Sequence, residues 1–248
     1  MLTLATGGAV ASAFGARTGR ADDVDAAAVV RQSDAARGGG LAGIVWSIHL
    51  TTTGNDDTAM DGDRDMLVKA NITASVAETL TPVRFRGTKL LQVGQNMWLS
   101  RPGLQKPIPI SPRQRLSGLT ANGDVAATNY ATDYTASLVR QESVENEACY
   151  VFELVAKSRY CTYDRILYWV SRERKLAVKA QFNAVSGKAI KSATFGYANT
   201  IMVNGQPQPF ISRMTISDAL TPAKTDMNYS NVVVQAIPAG TFDVSNLL

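Results

Sequence analysis

The sequence predicts a mainly β fold built on a strongly curved antiparallel sheet with few helices. Three observations carry that reading. Segments alternating between apolar and polar residues recur from Ile44 to Gln235. Turn signals rich in Gly, Asn and Pro separate them, so successive strands connect as hairpins. Only one stretch, Asp22 to Gly38, carries a clear helical pattern. At 248 residues the chain buries one sizeable core, and no internal repeat or interdomain linker divides it. We therefore read 22–248 as a single domain.

The elements follow in order. Asp22 or Asp23 caps the helix, Ala and Val populate one face, and Gly38 supplies a left-handed stop before Gly39 and Gly40. Ile44 to Thr52 alternates, with Ile44, Trp46, Ile48 and Leu50 on one face. Asn55 to Asp63 is a polar turn, and Met66 to Val76 is read as one strand, with Val68, Ala70, Ile72 and Ala74 sharing a face. Short strands are expected at Val83 to Arg86, Leu90 to Val93 and Met97 to Arg101, the last two flanking a Gly94-Gln95-Asn96 turn. Pro102 to Pro112 is too rich in proline for a central strand. A loop at Ser117 to Gly123 precedes a short helix at Asp124 to Tyr130. Longer strands then run Tyr134 to Val144, Cys149 to Ala156, Tyr163 to Ser171, Ala177 to Val185 and Lys188 to Tyr197. Pro207 and Pro209 mark a loop, and strands at Phe210 to Asp218 and Met227 to Gln235 complete the set. In the tail, Phe242 and Leu247 are the expected anchors.

The first 21 residues are read apart from the fold. Leu2 to Ala16 is a small-residue apolar run followed by Gly19-Arg20-Ala21, which fits the hydrophobic region and cleavage site of an export signal. A disordered Ala/Gly-rich tail is the alternative. The positive region that should precede such a signal is missing, and Met1 to Ala5 resembles the segment after a twin-arginine pair. This points to a Tat- or Sec-type signal that begins upstream of Met1, and to a periplasmic location. Cys149 and Cys161 would then meet an oxidising compartment, which favours a disulfide. Their positions in the expected hairpin lie roughly 25 Å apart at about 3.4 Å per residue, which opposes it. Both outcomes stay open.

Composition excludes several functions. The net charge of +4 is spread along the chain, as on a solvated surface or one weakly drawn to anionic membranes. There is no basic stripe interleaved with aromatics, so nucleic acid is not an expected partner. The only histidine, His49, falls on the polar side of its strand, and no nucleophile elbow or phosphate-binding glycine loop occurs. Asp56, Asp57, Asp61, Asp63 and Asp65 form a dense acidic run without EF-hand spacing, read as a solvated turn rather than a calcium site. No enzyme activity and no cofactor are expected. By contrast, Cys149 to Ala156 and Ile166 to Val170 are apolar on both faces. Such strands need a second layer or a cavity, and a single helix offers little cover.

The middle of the chain carries a family resemblance. Arg86-Gly87-Thr88-Lys89-Leu90-Leu91, Met97 to Pro102, Ile108 to Leu116, Gly123-Asp124, Tyr134-Thr135-Ala136, Cys149 to Leu154, Tyr168-Trp169-Val170 and Ser186-Gly187-Lys188 follow one another as in the LolA-like outer-membrane lipoprotein-sorting proteins. The helix ending in Asp34-Ala35-Ala36-Arg37-Gly38 resembles theirs too. The resemblance implies an incomplete β-barrel whose helices cover the concave face. It also implies a periplasmic carrier of lipoprotein acyl chains or other lipids, working as a monomer. An inner-membrane RND-type exporter and an outer-membrane acceptor would be its protein partners, and a docking adaptor for such partners is the alternative role. No arginine here is matched to the one that holds the family's best-known carrier shut.

A cleft of this kind should be lined by inward alternating residues. The expected set is Trp46, Ile48, Phe85, Leu91, Met97, Leu99, Tyr150, Phe152, Leu154, Tyr168, Val170 and Phe182. The helix from Asp22 to Gly38, hinged on three glycines, is the expected lid.

Overall fold

Hairpin connectivity and one long-range return set the architecture. In a computed structural model of the protein, residues 24–54 and 63–248 are described. The expected leader, Asp22 and Asp23, and most of the acidic turn lie outside those residues. The first six strands are β1 (Ile44–Thr53), β2 (Arg64–Ala70), β3 (Ala74–Thr81), β4 (Lys89–Val93), β5 (Asn96–Ser100) and β6 (Ile108–Ile110). A small hairpin, β7 (Arg115–Ser117) and β8 (Thr120–Ala121), and a single helical turn, α2 (Tyr130–Asp133), lead into the second half. There follow β9 (Tyr134–Val144), β10 (Glu147–Ala156), β11 (Arg165–Ser171), β12 (Ala177–Asn183) and β13 (Ala189–Gly196). A second small hairpin, β14 (Asn199–Val203) and β15 (Gln206–Phe210), precedes β16 (Arg213–Asp218) and β17 (Lys224–Val234).

Thirteen strands form one curved antiparallel sheet in the order β6-β5-β4-β3-β2-β1-β17-β16-β13-β12-β11-β10-β9. β17 returns to pair with β1 over Ile44–Val234 to Thr53–Lys224, joining the two halves. The sheet does not close, and β6 and β9 are its two edges.

Alternation then sorts the side chains. One face carries Trp46, Ile48, Met66, Val68, Phe152, Tyr168, Phe182, Met214 and Met227 into a single buried cluster. We call this the inner face. The helix α1 (Ala26–Ala35) lies against it and adds Val29 and Val30. The outer face holds two smaller clusters. In one, Leu91, Val76 and Ala74 are covered by Phe242 and Leu247, as expected for the tail. In the other, Cys149, Val151 and Trp169 pack together.

Local chemistry explains where the elements depart from expectation. The helix starts later, because Asp25 caps it by accepting from the Ala28 amide at 3.0 Å. It also ends earlier than expected, at Ala35 with Ala36 as its C-cap, and the expected glycine, Gly38, takes φ +91° in the turn that follows. The expected strand over Met66 to Val76 is two strands. Asn71 Oδ1 accepts from the amides of Thr73 and Ala74 and folds the chain back, which leaves Ile72 57% exposed in the turn. Val83 to Arg86 is a 3-10 turn rather than a strand, closed by the Phe85 amide on the Pro82 carbonyl. The expected helix at Asp124 to Tyr130 is a 3-10 turn at Asn122–Asp124, a buried coil, and then α2. The loop expected at Ser117 to Gly123 contains the β7–β8 turn and β8. Pro207 and Pro209 sit inside β15, which belongs to a two-stranded sheet. Two residues apart, they leave their missing amides on the same unpaired edge.

Candidate functional site: the inner face and its cover

The inner face is continuous because every strand crossing it places its apolar residues on the same side. Trp46 stands opposite Val68, Ile48 opposite Met66, Phe152 opposite Tyr168 and Ile166 opposite Phe182. The aromatic rings meet across this surface. Trp46 lies 5.9 Å from Phe210, Tyr130 lies 5.5 Å from Tyr168, and Tyr163 stacks on Phe182 at 4.0 Å. The interior is thus filled by the protein's own side chains.

Most of the residues expected to line a cleft meet here. Trp46, Ile48, Phe152, Leu154, Tyr168, Val170 and Phe182 belong to the inner cluster, and Leu99 and Tyr150 pack half-buried against it. Met97 is buried and alternates with Trp98, which faces outward, so it too points inward. Two residues lie elsewhere. Leu91 faces outward under the C-terminal tail, and its neighbour Leu90 is the inward one, a one-residue slip of register. Phe85 sits in the 3-10 turn, with the guanidinium groups of Arg64 and Arg84 4.3 and 4.8 Å from its ring.

The cover over this face is held by polar contacts that the sequence reading did not single out. Ser33 Oγ and the Tyr168 hydroxyl are 2.9 Å apart, and Arg37 Nη1 donates to the same hydroxyl at 3.3 Å. The Arg37 guanidinium lies 4.4 Å from the Phe195 ring and 5.2 Å from the Tyr130 ring. Asp34 Oδ2 accepts from the Ala131 amide at 2.8 Å, which ties α1 to α2. Burial outweighs that hydrogen bond and the nearby Arg37 charge, and pushes the Asp34 carboxyl up to about 8. Burial likewise raises the Tyr168 hydroxyl. A signal was present in the sequence. Val30, Ser33, Asp34 and Arg37 follow helical spacing, so the stripe that begins apolar turns polar where it is buried.

A second polar group secures the far end of the cover. Lys191 Nζ donates to the Leu119 carbonyl at 2.6 Å and to Asp124 Oδ2 at 3.1 Å. The Tyr163 hydroxyl donates to Asp124 at 2.7 Å. The Lys191 and Asp124 side chains are only 9% and 3% exposed, so the ion pair is nearly dry.

The histidine lies on the other side of its strand from Ile48 and Leu50. His49 is about half exposed, and its Nδ1 lies 2.6 Å from Asp65 Oδ1 across the β1–β2 ladder. Asp65 also accepts from the Thr81 hydroxyl, and these two hydrogen bonds hold its carboxyl below the ordinary range. Among the described residues, no group of three or more His, Cys, Asp and Glu side chains could hold a metal ion. Cys149 and Cys161 are unbonded and belong to the outer and inner clusters respectively, so geometry decides the question the sequence left open.

Comparison with known proteins returns the same architecture. A family model described as "Uncharacterized protein" matches residues 72–248. A LolA superfamily protein from Nitrosomonas europaea is 28% identical, with a TM-score of 0.77 over 89% of this chain and 98% of that one. A domain from Vibrio parahaemolyticus, assigned to outer membrane lipoprotein sorting, shares the fold at 17% identity and a TM-score of 0.74, over 90% and 97% of the two chains. A DUF1329 family protein from Desulfovibrio piger does so at 17% identity and 0.72, over 90% and 98%. No curated protein matches the chain.

Proposed function

The chain belongs to the LolA-like superfamily, and from that premise we propose that it is a non-catalytic periplasmic carrier. It takes a lipoprotein acyl chain or another lipid-like ligand onto the inner face and delivers it toward the outer membrane. The observation that carries this reading is the inner face itself. It is a continuous apolar surface, covered in part by a ten-residue helix held through Ser33, Asp34 and Arg37. The ligand-lining residues are then the inward members of the expected set, from Trp46 and Ile48 through Tyr168 and Phe182.

The energetics suit transfer. Each methylene buried contributes about 0.8 kcal/mol, so an open apolar cavity would hold an acyl chain too tightly to release it. In this reading α1 is a lid that competes with the ligand for one surface. The net affinity is the acyl term less the helix's own packing and polar contacts. A disulfide engineered between α1 and α2, which lie in contact, would hold the lid down. Under oxidising conditions it should abolish uptake of a fluorescent fatty-acyl probe, and reduction should restore it. Uptake unaffected by the oxidised lock would refute the lid.

The filled interior also supports a second reading, an adaptor that docks an RND-type exporter or another envelope protein through its surface. Lipid extraction and native mass spectrometry of gently purified protein separate the two. Co-purifying acyl ligands support the carrier. Protein that stays empty, and takes up no acyl probe when challenged, supports the adaptor.

A further inference from the structure

Outside the inner face, one cavity has features that no structural role explains. It measures about 310 Å³ and opens between the β7–β8 turn and the ends of β12, β13 and β16. Tyr163 lines it and stacks on Phe182 of the inner cluster, so pocket and inner face are neighbours across these rings. Leu119 and Ile190 supply apolar sides.

The polar groups around it are donors in excess. Arg115 is exposed and lines the cavity, and its guanidinium makes no hydrogen bond or ion pair with any described residue. Lys191 uses two of its three ammonium protons on Leu119 and Asp124. The two lining carboxylates are already engaged. Asp164 binds Arg113 at 2.7 Å, and Asp218 accepts from the amides of Leu220 and Thr221. What remains is an uncommitted guanidinium and a spare ammonium proton, beside apolar walls.

We propose that this pocket seats the anionic, oxygen-rich head group of an amphiphile, such as a phosphate, while its chain follows the apolar wall toward the inner face. The volume is at the small end for ligand sites and suits a head group rather than a whole lipid. The inference rests on the carrier reading and names the ligand class for it.

The test uses the full chain with three probes: dodecyl phosphate, dodecanol and inorganic phosphate. Dodecyl phosphate should bind at least about tenfold more tightly than dodecanol, the order expected of one charge-assisted contact. Arg115→Gln should erase that preference. A thermal midpoint near wild type confirms that the variant folds, since Arg115 is exposed. Equal binding of the phosphate and the alcohol by wild-type protein overturns the head-group site while the carrier reading stands. Inorganic phosphate binding as tightly as dodecyl phosphate overturns it in favour of a free-anion site. If neither dodecyl compound binds, the carrier reading fails and takes this inference with it.

Discussion

Replacing Tyr168 by phenylalanine deletes one oxygen at the point where α1 meets the sheet. The hydroxyl is fully buried and is shared by Ser33 Oγ at 2.9 Å and Arg37 Nη1 at 3.3 Å. The ring contacts survive, with Tyr130 at 5.5 Å and Phe195 at 6.4 Å, so the change is chiefly polar. A neutral hydrogen bond contributes about 1 kcal/mol and one to a charged group about 1.5–3 kcal/mol. The longer Arg37 bond falls at the low end of that range, giving a combined loss of about 2–3 kcal/mol. At about 1.4 kcal/mol per tenfold, opening of α1 should become roughly 30–150 times more frequent. Amide hydrogen exchange reads this directly. In the wild-type protein the α1 amides should exchange through an opening less costly than that of β1 and β17. The variant should speed α1 exchange by the stated factor and raise uptake of an acyl probe. Unchanged α1 exchange in the variant would remove the hydroxyl from any anchoring role. Wild-type α1 amides as protected as those of β1 and β17 would refute a separately opening helix.

Other predictions follow from the same contacts. Asp34 carries its proton up to about 8 in the folded protein but only to 3.8 in the ordinary range, so the folded state binds more protons between those values. Stability should therefore fall as pH rises through that window and level off above it. In Asp34→Asn this contribution should be missing, and an identical pH slope of the urea midpoint in both proteins would refute it. A Cβ at Gly118 would lie 2.1 Å from Thr52 Oγ1 and 2.5 Å from Thr225 Oγ1, at φ +53°. Gly118→Ala should cost about 2–5 kcal/mol in denaturant melts, combining left-handed strain with overpacking. Leu91→Ala should cost about 2–5 kcal/mol, yet leave acyl-probe affinity unchanged because Leu91 faces the tail. Trp46→Ala on the inner face should weaken the probe as well, and equal probe binding by both would contradict the face assignment.

The fold was legible wherever alternation was uninterrupted. The boundaries of β9 coincide with the expected strand, and β10 to β13 and β17 match within three residues at either end. Reading failed where one side chain overruled a pattern. Asn71 turned an apparently continuous alternation into a hairpin, and the segment expected as a short strand at Val83 to Arg86 became a 3-10 turn after Pro82. The inner-face residues were mostly visible because strand parity is strict, and Leu91 was misplaced by a single step of that parity. The anchors of α1 were harder to see. Ser33, Asp34 and Arg37 are polar residues near a helix end, which composition alone assigns to solvent. Their burial depends on Tyr168, 131 residues beyond Arg37, and on α2, and no local pattern encodes a meeting at that separation.

The two unpaired edges of the sheet differ in kind. β6 has three residues with Pro109 at its middle, whereas β9 has eleven, with a bulge near its centre and charges at Arg140 and Glu142. Each is poorly suited to recruiting a stray strand. In a closed barrel, making room for a guest stretches or breaks inter-strand ladders around the whole circumference. Here no ladder joins β6 to β9 among the described residues, so the interior can widen like a split ring. The work of widening then falls on the packing and polar contacts of the cover, and the backbone hydrogen bonds of the sheet remain intact throughout.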